Sequence, residues 1–84
     1  MAKDIKQIIE DVIEEVKYAE SKYPSYHSGH EGYGIIAEEL DELWDEVKRK
    51  DPNYSRQYTE AKHIACTAIR HMIYASRNEH IMKR

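Results

Sequence analysis

The chain is 84 residues long and sets 13 Lys and Arg against 16 Asp and Glu, for a net charge of -3. A chain of this size buries only roughly 60–65% of the surface that its unfolded form exposes, so it holds one domain, residues 1–84, with a thin core, and a partner subunit is expected. Three Gly, two Pro and no Phe favour helix throughout and exclude a sheet protein; the single Cys66 excludes an internal disulfide.

No signal peptide and no apolar run long enough to span a bilayer is read in the chain, which points to a cytoplasmic protein without a membrane partner. No nucleic-acid polymer is expected as a partner.

The first predicted helix covers residues 3–21, where Ile5, Ile8, Ile9, Val12, Ile13, Val16 and Ala19 recur at helical spacing. Its acidic residues Glu10, Asp11, Glu14 and Glu15 read as surface charges, because Lys6 and Lys17 stand three or four positions from two of them. Residues 21–33, SKYPSYHSGHEGY, then break the pattern with Pro24 and Gly29 and gather Tyr23, Tyr26, His27, His30 and Tyr33. These rings either stack a base and contact phosphate, or Tyr23 and Tyr26 close the apolar end of a bundle. A zinc site on His27 and His30 is disfavoured, since no Cys or third His lies near them.

The second helix is predicted over residues 29–49. Ser28 followed by Glu31 has the pattern of a capping box, and the Lys48-Arg49-Lys50 run suits a C-terminal dipole ahead of Asp51-Pro52. Seven acidic residues and no basic one lie between Glu31 and Glu46, yet Ile36, Leu40, Leu43, Trp44 and Val47 form a stripe. With Leu40 at its centre, Glu39, Glu42 and Glu46 border it on one side and Glu38, Asp41 and Asp45 on the other.

The third helix is predicted over residues 55–77, with Tyr58, Ala61, Ile64, Ala65, Ala68, Ile69, Met72 and Ile73 on its apolar face and Glu60, His63, Thr67, His71 and Tyr74 beside it. Antiparallel packing of the second and third stripes turns both polar borders towards one groove. Oligomerisation through these stripes is expected to bury Leu40, Trp44, Ile64 and Ala68. Cys66 falls on the opposite border, without an activating partner beyond His63. Residues 48–84 carry nine Lys or Arg against three Asp or Glu, so an acidic middle for a cation and a basic third for phosphates is one reading, and ordinary solvated faces the other. The polar tail from Ser76, with His80, Lys83 and Arg84, frays or reaches a neighbouring subunit.

Glu38-Glu39-Leu40-Asp41-Glu42, followed by Glu60 on the next helix, resembles the EExxE…ExxD signature of the all-α nucleotide pyrophosphohydrolases called MazG-like. The flanking HEGYGII and LWDEVKRK segments are similar to small bacterial and phage members, and the resemblance spans roughly residues 23–74. It implies a homodimer or homotetramer whose three-helix subunits pair into helical bundles. It also implies magnesium-dependent cleavage of a nucleoside triphosphate into monophosphate and pyrophosphate. Glu39, Glu42 and Glu60 match metal-binding carboxylates, Glu38 matches a further ligand or the base that orients water, and Glu38 and Glu39 are thereby the candidate catalytic pair. Where the signature has Asp this chain has His63, which favours manganese over magnesium and weakens the cluster.

Three functions follow as alternatives. The leading one is a nucleotide-binding protein of MazG-like type with little or no turnover, such as a phage protein that sequesters a nucleotide-derived signal. In that protein Tyr23, Tyr26, His27, His30, His63, Thr67, Arg70 and Tyr74 contact the ligand, and His63 addresses phosphate without a metal. The second is a pyrophosphohydrolase with magnesium or manganese on Glu39, Glu42, Glu60 and His63. The third is a helical protein–protein adaptor with solvated acidic faces.

Overall fold

A computed structural model describes the backbone of residues 2–82 and the side chains of residues 2–79. The His80 side chain, Lys83 and Arg84 lie outside the described residues. The described chain is all-helical, with α1 at Ile5–Lys22, α2 at Gly29–Val47 and α3 at Tyr54–Met82.

Each helix begins on a side-chain cap. Asp4 accepts from the Gln7 backbone N–H while the Gln7 side chain accepts from the Asp4 N–H, a reciprocal capping box at α1. At α2 the box is only half made. Ser28 Oγ accepts from the Glu31 N–H at 3.0 Å, but the Glu31 carboxylate turns one residue further back, to the His27 N–H. Asn53 Oδ1 accepts from the Arg56 N–H at the start of α3. That helix runs past the expected end at residue 77 because no Gly or Pro interrupts Ser76-Arg77-Asn78-Glu79.

Helix α3 is the spine: α1 and α2 each pack along it and make no helix contact with one another among the described residues. Gly32 meets His71 near one end of the α2–α3 seam and Glu39 meets His63 and Glu60 further along, so these helices are antiparallel. Asp11 meets Tyr58, Glu15 meets Lys62 and Glu20 meets Arg70, so α1 and α3 run parallel. The closeness of the α2–α3 crossing depends on Gly32, where a Cβ would stand 2.2 Å from His71 Nδ1 and 2.8 Å from Tyr26 Cδ2.

The core is thin, as the length requires. Only Ala19, Tyr26, Gly32, Cys66 and Arg70 are buried among the described residues, and none of the large side chains is fully enclosed. The face that α2 turns towards α3 is not the one centred on Leu40. Ile35, Ile36, Glu39, Leu43 and Glu46 are partly covered, whereas Leu40 and Trp44 are 57% and 59% exposed. Contact at Gly32 sets this rotation, because the row that continues from Gly32 at helical spacing passes through Ile35, Ile36, Glu39 and Leu43. Ile64 and Ala68 are half-buried within the single subunit.

Candidate cation site and the adjoining cleft

Rotation of α2 brings Glu39 onto α3 instead of leaving it at the rim of a groove. His63 Nδ1 lies 3.7 Å from Glu39 Oε2 and 3.4 Å from Glu60 Oε1, and one donor atom from each of the three residues falls within 4.8 Å of the others. Both carboxylate oxygens are buried and lack a hydrogen-bond partner. Burial, followed by the neighbouring Glu42 charge, holds the Glu39 carboxyl above the usual carboxylate range. Two orphaned oxygens beside an imidazole fit a divalent cation, and an imidazole in the set suits manganese or zinc better than magnesium.

Other expected members of the cluster stay outside it. Glu42 and Glu38 are exposed; Glu42 acts on Glu39 through space without joining its donor set. The cause is again the rotation: with Glu39 turned to α3, a residue three positions on points partly away, and the residue before it points to solvent. Helix α1 supplies a residue that the sequence reading assigned to the surface. Glu15 Oε2 faces His63 Nε2 at 4.0 Å, and its Oε1 lies 3.8 Å from Lys62 Nζ. One signal was present in the sequence, since Glu10 and Glu14 have a Lys at helical spacing while Asp11 and Glu15 have none. Both of these acids reach across to α3, and Asp11 also pairs with Lys3. Glu46, also half-buried with an oxygen lacking a hydrogen bond, faces only Arg49 at 4.0 Å.

Glu15, Glu39 and His63 also form part of the wall of a cleft of about 460 Å³. Tyr23, Tyr26, Thr67 and Arg70 line the same cleft, whereas His27, His30 and Tyr74 do not. Exposed His27, in the loop ahead of α2, faces Glu31 on the first turn of that helix, His30 is exposed, and Tyr74 stands edge-on to His71. Tyr26 is the lid of the bundle: it is buried, and its hydroxyl donates to the Thr67 carbonyl at 3.2 Å. Burial pushes its phenol up, and does the same to the Cys66 thiol, which leaves that thiol inert.

Arg70 is 8% exposed and bonded through two of its three guanidinium nitrogens. Its Nε donates to Glu20 Oε2 at 2.7 Å, and its Nη2 donates to the carbonyls of Tyr23 at 3.2 Å and Pro24 at 2.9 Å. It ties the α1–α2 loop to the spine. Glu15, Glu31 and Glu39 place three carboxylates in a wall whose other members are mostly apolar or aromatic. Both nitrogens of His63 face carboxylates.

Comparison with known proteins adds no name to this geometry: no family model, no curated protein and no solved structure matches the chain.

Proposed function

We propose that the protein binds a nucleotide or nucleotide-derived small molecule in this cleft, in MazG-like manner and with little or no turnover. A divalent cation on Glu39, Glu60 and His63 would supply the positive charge that the phosphates require. One observation carries the proposal: Glu39 and His63 belong both to the cation cluster and to the cleft wall. The resemblance of Glu38–Glu42 and Glu60 to the EExxE…ExxD signature supports the same ligand class. Low turnover follows from the donor set, which holds two carboxylates and an imidazole while Glu38 and Glu42 face solvent. Such a set binds a cation but lacks the additional anionic ligands that align metal, water and α-phosphate.

The hydrolase alternative draws on the elevated Glu39 carboxyl, a property suited to a general base. Incubation of the pure protein with a panel of nucleoside triphosphates, with magnesium and with manganese, separates the two. Retained, intact nucleotide is the expected result. Robust release of monophosphate and pyrophosphate would establish the hydrolase instead.

A further inference from the structure

The two ring nitrogens of His63 meet different surroundings. Nδ1 faces the orphaned oxygens of Glu39 and Glu60, on α2 and α3, while Nε2 faces Glu15 Oε2 on α1 at 4.0 Å. The other Glu15 oxygen is steadied by Lys62 Nζ at 3.8 Å. A neutral imidazole carries one proton and one lone pair. With the proton on Nδ1, the Nε2 lone pair would be aimed at the Glu15 carboxylate, which repels it. With the proton on Nε2, Glu15 is the carboxylate placed to accept it, and the Nδ1 lone pair, which Glu39 and Glu60 repel on their own, joins their two oxygens as a third donor when a cation lies between them.

We infer that Glu15 is the positioning residue of the cation site: it holds the proton of His63 on Nε2 and so aims Nδ1 at a divalent cation on Glu39 and Glu60. This rests on the cluster being a cation site. Glu15 is not itself a ligand. A carboxylate behind a metal-binding imidazole fixes the ring orientation and raises its basicity, and loss of such a partner typically costs about 10–100-fold in metal affinity. The inference makes α1, through Glu15, a determinant of cation binding.

Zinc, which is diamagnetic, is the probe, and the whole chain is used. Long-range proton–nitrogen correlation spectra of the zinc-loaded protein are expected to show His63 protonated on Nε2 and metal-bound through Nδ1. Glu15→Gln, which keeps the side-chain size and removes the charge, should lower zinc affinity about 10–100-fold with an unchanged helical circular-dichroism spectrum. Zinc on Nε2, or an affinity in Glu15→Gln within about twofold of the parent, overturns the positioning role. Glu39→Gln and His63→Ala discriminate the two levels. If they abolish zinc binding and Glu15→Gln leaves the affinity within about twofold of the parent, only the role of Glu15 fails. If they too leave it unchanged, the cation site fails with it.

Discussion

Glu39 shows how one buried charge ties stability to ligand binding. Its carboxyl is held above the usual range by burial and by Glu42, so the folded protein binds this proton more tightly than the unfolded chain does. Stability contributed by the protonated form is present at low pH and lost as pH rises from the unfolded value near about 4.3 through the folded one. Glu39→Gln should therefore melt above the parent at about pH 7 in chelator, and manganese should raise the melting temperature of the parent but not of the variant. Melts in which Glu39→Gln falls below the parent in chelator would refute the assignment. At Gly32 packing decides. Alanine gains about 1 kcal/mol in helix propensity, but its Cβ would sit 2.2 Å from His71 Nδ1, and overpacking costs about 1–3 kcal/mol. Gly32→Ala should be a net loss of about 1 kcal/mol by urea denaturation; a more stable variant would show that the seam opens freely.

Among the elements, α2 best separates what is legible in the sequence from what is not. Its start at Ser28 and its helical period are local properties, written in the cap residue and in the spacing of Ile36, Leu40, Leu43 and Val47. Which face turns inward is not local. The apolar residues alone centre the stripe on Leu40, whereas a close crossing at Gly32 turns Glu39 inward and leaves Leu40 and Trp44 outside. Glu39, Glu60 and His63 are legible in the sequence as possible neighbours, whereas Glu15 shows only as an acid without a Lys at helical spacing. The first three follow from an antiparallel α2–α3 pair, while Glu15 depends on the docking of α1, which no spacing within α2 or α3 encodes. The outward row of Leu40, Trp44 and Val47 is proposed as the contact through which subunits pair. Leu40→Glu with Trp44→Glu should convert the oligomer to a monomer by light scattering while the helical signal persists. A parent that is already monomeric at micromolar concentration would contradict the pairing.

Taken whole, the subunit exposes 6725 Å², about 1,500 Å² more than the roughly 5,200 Å² expected of a globular monomer of its 10.0 kDa mass. Covering that excess on two copies would bury about 3,000 Å², within the range of obligate dimers. No helix in the described residues is long and apolar enough to cross a membrane, so the open faces of α1 and α2 are not accounted for by membrane-spanning helices. The charge distribution is equally telling. Arg70, buried in the cleft, donates to Glu20 and two loop carbonyls, and three Glu side chains share the wall, so on the proposed function phosphate binding depends on an added cation. Calorimetric titration of a nucleoside triphosphate into the protein, with manganese and then with chelator, tests this dependence most directly. The account predicts binding with manganese that disappears in chelator and in Glu39→Gln; equal affinity with and without the cation, or unchanged binding in that variant, would contradict it.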